Sequence, residues 1–104
     1  MTYFEPPEGS AFDPRGVATS CIESGTRALL LDADAVPPDF FDLSSGVAGE
    51  LLHQLGKYGI RLATVVPDPT SHSRPFQDFA REANRGRQYR FFATRDEAVA
   101  WLRE

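Results

Sequence analysis

Three short strand-like runs, separated by stretches of helical periodicity, limit most strongly what this chain can fold into. They cover residues 28–32, 60–66 and 88–93. The first lies between Gly25 and Pro37, which leaves little room for a helix. The second is β-branched and apolar apart from Arg61 and Thr64. All three read as strands. Helical signals fill the intervals. Asp13-Pro14 is an N-cap followed by proline at the first helical position, and Val17, Ala18, Cys21 and Ile22 then recur at three- and four-residue spacing up to Gly25. A second helix is predicted over 45–57, with Val47, Ala48, Leu51, Leu52 and Leu55 as its apolar stripe and Glu50, His53, Gln54 and Lys57 opposite. Ser73 caps a third, with Pro75 in its first turn, buried through Phe76, Phe79, Ala80 and Ala83, and with Asn84 and Gly86 suited to a left-handed terminus. Thr94-x-x-Glu97 is a capping box for a last helix anchored by Ala98, Trp101 and Leu102.

Strands alternating with helices argue for a parallel sheet with right-handed crossovers and helices on its faces. The expected architecture is one small α/β domain, 1–104, with a mostly parallel sheet of three to four strands. Residues 1–12, with Glu5-Pro6-Pro7-Glu8-Gly9-Ser10, read as irregular, and Tyr3-Phe4 as a short edge strand. The expected core includes Leu51, Leu55, Phe76, Phe79, Ala80 and Leu102.

Composition narrows the partners. The net charge of -4 gives no global reason to bind nucleic acid. Cys21 is the single cysteine, so an internal disulfide is impossible and a cytoplasmic setting is expected. No apolar run follows a basic start, and none reaches the roughly 20 residues of a membrane span, so neither a signal peptide nor a membrane is expected.

Chemistry-bearing residues gather in two places. Asp42, Ser44, Ser45 and Gly46 lead into the second predicted helix, where free N–H groups and the helix dipole suit an anion or a phosphate. Capping alone is the stronger reading of those hydroxyls. Gly49, with Gly46, allows either close approach by a partner or tight packing on the sheet. Asn84, Arg85 and Arg87, with Arg81, Arg90 and Tyr89, form a basic stretch. Pairing of the arginines with Asp78 and Glu82, and protection of an edge strand, outweigh nucleic-acid contact. Asp32, Asp34, Asp39 and Asp42 follow the first strand without metal-motif spacing, and turn formation explains them. His53 and His72 lack sequence-near ligand partners, and Cys21 lies on an apolar helix face. No phosphate-binding fingerprint or nucleophile elbow is present. No cofactor, metal or catalytic activity is expected.

Pro38-Asp39-Phe40-Phe41-Asp42-Leu43, Gly46-x-Ala48-Gly49-Glu50, Arg61-Leu62-Ala63 and Phe79-x-x-Glu82-x-Asn84-Arg85-Gly86 resemble a bacterial family catalogued as domain of unknown function 4180, over about 28–102. That resemblance implies no activity. The chain is more weakly similar to STAS domains, the fold of anti-sigma-factor antagonists. There a strand precedes Asp-Ser-Ser-Gly and a helix, as Leu29-Leu30-Leu31-Asp32 precedes Ser44-Ser45-Gly46 here. The similarity implies a STAS-like arrangement and phosphorylation of Ser44 by a partner kinase. Leu43 stands directly before the serines, with Asp42 one position further away.

Three functions follow in order. The first is a non-enzymatic regulatory module that binds a protein partner, switched at Ser44 or Ser45, with a homodimer compatible. The second is a small-molecule or anion binder using 32–45. The third is an enzyme using the carboxylates. A pocket beside this region favours the second, and an exposed apolar patch the first.

Overall fold

The structure is a computed structural model that describes residues 3–7 and 11–104. Asp13 begins the first helix as the sequence suggests: its Oδ2 accepts from Gly16 N, and α1 runs Pro14–Glu23. β1 (Ala28–Asp32) follows, then α2 (Val47–Tyr58), β2 (Arg61–Val65), α3 (Arg74–Ala83), β3 (Tyr89–Phe92) and α4 (Arg95–Leu102). Ser73 Oγ accepts from Phe76 N, and Thr94 Oγ1 from Glu97 N, so both predicted caps form.

The three strands make one parallel sheet in the order β1-β2-β3. Leu30 faces Ala63 across the first pair, and Ala63 faces Arg90 across the second. Phe4 adds a single parallel bridge outside β1. Its N–H donates to Ala28 O at 2.8 Å, and its carbonyl accepts from Leu30 N at 2.9 Å. Sequential strands therefore march in one direction, and same-handed crossovers then place their helices on one face.

Strand alternation divides the core. Leu29, Leu31 and Leu62 point to the face covered by α1, α2 and α3, where Cys21, Leu51, Leu55 and Phe76 are buried. Ala28, Leu30, Ala63 and Val65 point to the other face, which α4 covers with Ala98, Trp101 and Leu102. The α/β class stands, with helices on both faces in a three-to-one division.

Some expectations need correction. α2 starts at Val47 rather than Ser45, because Gly46 takes a left-handed conformation (φ 81°) that breaks the chain from the preceding turn. It ends at Tyr58, where Gly59 (φ 66°) caps it. Phe79 is half-buried, whereas the other five predicted core residues are buried. Gln54 is buried rather than exposed, its amide donating to Glu50 Oε1 at 2.8 Å. α3 closes through Asn84 in a right-handed conformation (φ -68°), and neither Asn84 nor Gly86 has positive φ. A Cβ on Gly49 would meet open space, so tight packing does not require that glycine.

Candidate functional site

Three short 3-10 turns carry the chain from β1 to α2: Ala33–Ala35, Pro38–Phe41 and Leu43–Ser45. Aspartates build two of them. Asp32 Oδ1 accepts from Asp34 N at 3.2 Å, and Asp42 Oδ1 accepts from Ser44 N at 3.1 Å and from Ser44 Oγ at 2.6 Å. Ser45 Oγ donates to Asp39 O at 2.6 Å and accepts from Val47 N at 3.2 Å. Ser44 is exposed, but its hydroxyl is committed to a carboxylate rather than to the free N–H groups of α2. The loop after β2 repeats the device. Asp68 Oδ1 accepts from Thr70 N and Thr70 Oγ1, and Ser71 Oγ donates to Asp68 O. Local turn chemistry thus accounts for the bonding at Ser44 and Ser45.

The aromatic pair before Asp42 anchors this loop. Phe40 is buried, while Phe41 stacks on His72 with centroids 4.0 Å apart and planes 9° from parallel. Both Phe41 and His72 pack against Phe76 in T-shaped geometry, with centroids 5.1 and 5.3 Å away. Pro38-Asp39-Phe40-Phe41 therefore ties the β1–α2 connection to the start of α3.

The basic stretch lies around the outer edge of β3. The Asn84 carboxamide spans one rung of that edge: Nδ2 donates to Phe91 O at 3.3 Å, and Oδ1 accepts from Phe91 N at 2.7 Å. It occupies the position a neighbouring strand would take. Arg81 pairs with Asp78 at 3.0 Å and Arg85 with Glu82 at 3.5 Å. Arg90 Nε donates to Gly86 O at 2.7 Å, and its guanidinium lies 5.4 Å from the Trp101 ring centroid, with that of Arg61 at 4.3 Å. Arg87 is exposed. Asn84 and Arg85 are thus engaged locally, and the structure does not bring these three residues together with Asp42, Ser44 and Ser45 in any described cavity.

The largest described cleft opens at the carboxyl end of β1 and measures about 670 Å³. Asp32, Asp34 and Ala35 line it where β1 ends, and Phe12 and Val17 add apolar lining. Pro6 and Pro7 line it as well, next in sequence to Glu5. Glu5 and Arg95 make a two-bond carboxylate–guanidinium pair, with Arg95 Nη1 donating to Glu5 Oε2 at 2.8 Å and Nη2 to Oε1. This bond to Arg95 holds the Glu5 carboxyl below its ordinary range and pushes Arg95 up. A recess of about 200 Å³ shares Pro6, Pro7, Ala11 and Val17 and continues along Gly16 and Ser20 of α1. A third cleft, about 280 Å³, lies between α3 and β3 beside Asn84 and Phe91.

A family model described as domain of unknown function (DUF4180) matches residues 8–102. The chain belongs to that family. No curated protein and no solved structure matches it. Within the DUF4180 match lie Phe12, Val17, Asp32, Asp34 and Arg95 of the large cleft, whereas Glu5, Pro6 and Pro7 precede it. The motif residues that carry the resemblance serve structure in large part: Phe40 and Phe41 anchor a loop and Asn84 latches a strand edge.

Other candidates have local duties. Cys21 is fully buried, its thiol donating to Thr26 O at 3.4 Å and pushed up to about 11 by burial. Burial also pushes up Tyr89, whose hydroxyl donates to Leu52 O at 3.2 Å. Among the described residues, no three His, Cys, Asp or Glu side chains gather in a way that could hold a metal ion. No helix among them is long and apolar enough to cross a membrane. Sequence reading reached Asp32 and Asp34 but missed Glu5 and Arg95, which stand 90 positions apart. Acidic Glu5 beside two prolines was the available signal.

Proposed function

We propose that this chain is a small ligand-binding α/β module that works through the cleft at the carboxyl end of β1. The observation that carries this reading is the cleft itself. Its volume, about 670 Å³, falls in the range of small-molecule sites. It opens beyond the carboxyl end of a strand in a parallel sheet, where such folds place their ligands. Its lining is mixed, with apolar side chains and a few charged groups, as orientation of a small molecule requires. A protein-binding module switched at Ser44 has less support. Among the described residues, Tyr58 is the one exposed large apolar side chain, at 44%, and it stands at the opposite end of α2 from Ser44. A phosphate on Ser44 would also face the carboxylate of Asp42 that its hydroxyl now contacts.

The test is fragment mapping by amide chemical shifts on the isotopically labelled chain. Shifts concentrated on Phe12, Val17, Asp32–Ala35 and Arg95 are expected. Fragments that settle only in the cleft beside Asn84, or nowhere, would overturn the reading.

A further inference from the structure

We infer that the large cleft selects a small organic cation, an amine or guanidine carried on an apolar body. The inference rests on the binding reading above and names its ligand class. Four ionisable side chains among the described residues line the cleft: Glu5, Asp32, Asp34 and Arg95. Three carboxylates face one guanidinium there, and the Glu5–Arg95 pair consumes one carboxylate together with the only cation among the described lining residues. Asp32 and Asp34 are left uncompensated. Asp32 uses Oδ1 to accept from Asp34 N, while the Asp34 carboxylate has no hydrogen-bond or ion-pair partner among the described residues. An anion entering this cleft would meet two negative charges with Arg95 already neutralised. A neutral ligand would leave both carboxylates to water. A cation gains from both, and a concave wall strengthens the field it meets. An ammonium brings three donors and no acceptor, which matches carboxylates that present acceptors alone.

The rest of the cleft fixes the other half of the ligand. Phe12, Val17, Pro6 and Pro7 offer apolar surface with few donors. A ring or short alkyl chain placed there is removed from water, while the charged head remains at the end of β1. Specificity against an isosteric alcohol then rests on charge, and specificity against a carboxylate on repulsion.

The experiment titrates the full chain with 2-phenylethylamine, 2-phenylethanol and 3-phenylpropanoate, following amide shifts and heat of binding at low and high salt. The amine is expected to bind most tightly, to shift Phe12 and Asp32–Ala35, and to weaken as salt rises. Asp34→Asn, at an exposed position, should weaken the amine about threefold and leave the alcohol unchanged. Asp32→Asn keeps an oxygen for Asp34 N and should act in the same direction. If the alcohol or the carboxylate binds this cleft as tightly as the amine, or if Asp34→Asn leaves amine affinity unchanged, the cation class is wrong while the cleft remains a binding site. If fragments map to the cleft and all three probes avoid it, the cation class also fails. If nothing enters the cleft, both readings fall.

Discussion

The two edges of the sheet are covered in different ways. At the β3 edge a single side chain, Asn84, takes both backbone groups of Phe91, and aromatic packing from α3 backs it. At the β1 edge a piece of backbone does the covering. Phe4 makes one bridge, and Glu5 next to it ties the chain to Arg95 at the start of α4. A side-chain latch closes an edge against further pairing. A backbone strap with two prolines stands off and encloses space. The difference is visible in the cavities, about 280 Å³ at the β3 side against 670 Å³ at the β1 side. The lesson is that the edge covered by a backbone strap, rather than by a side-chain latch, is the one with room for a ligand.

The largest effect should come from the packing behind the β3 edge. Phe76 is fully buried and meets Phe40, Phe41, His72, Phe79 and Phe91. Phe76→Ala should lower stability by about 3–5 kcal/mol, read as a fall in urea midpoint. Phe79→Ala, at a half-buried position, should lose less than half as much. Equal losses would mean that the face of α3 toward β3 is misplaced.

Asn84→Ala tests the latch directly. It removes two hydrogen bonds at an exposed rung, and about 1 kcal/mol of stability should go with them. The sharper readout is local: amide exchange at Phe91 should accelerate while exchange at Leu62, in the central strand, follows global stability alone. Unchanged Phe91 exchange would remove the contrast between the edges.

Much of this was legible along the chain. Asp13-Pro14, Ser73 and Thr94-x-x-Glu97 marked helix starts because capping is decided by neighbours within a few residues. The three strands were legible because apolar runs of that length between breakers have few other fates. What depended on tertiary partners was hidden. Asn84 could not be read as a latch, since its partner Phe91 meets it only when β3 folds back along α3. Ser44 and Ser45 read as a helix start because hydroxyls, glycine and an amphipathic run follow in order; Ser45 Oγ does accept from Val47 N at the start of α2, but both serines lie before the left-handed Gly46 and the Ser44 hydroxyl turns back to Asp42. The side chosen by α4 was hidden as well, because its apolar residues suit either face. As for the cleft, Asp32 and Asp34 were visible, but residues on its wall come from both ends of the chain.

The strap gives a pH-dependent contrast. The bond to Arg95 lowers the Glu5 carboxyl from an unfolded value of 4.5. A depressed carboxyl stabilises above its unfolded value, and that contribution disappears as pH falls through the depressed one. The pair is half exposed, so Glu5→Gln should cost only about 0.2–1 kcal/mol near neutral pH. Thermal melts of wild type and Glu5→Gln should therefore differ at neutral pH and converge on acidification well below 4.5. Curves that stay parallel throughout would show that the strap owes nothing to this pair. Asn84→Ala should show no such convergence, because its latch contains no titrating group.

The smallest effect is expected at the strand both edges share. Thr64 is fully buried in β2, between Leu31 on β1 and Phe91 on β3, on the face covered by three helices. Its Oγ1 has no hydrogen-bond partner among the described residues. A buried hydroxyl without a partner forfeits its hydration and receives nothing in exchange. Valine has nearly the same shape and keeps the β-branched stem that suits a strand. Removing the hydroxyl takes away a desolvated group, and leaves no other group newly unpaired. Thr64→Val should thus be neutral or raise stability slightly, by at most about 1 kcal/mol, against the losses at Phe76 and Asn84. It should also leave Phe91 exchange tracking the global value, because the central strand supports both edges alike. A clear loss of stability in Thr64→Val would mean that the hydroxyl has a partner in solution, and the hydroxyl would then join the list of groups that hold the sheet together.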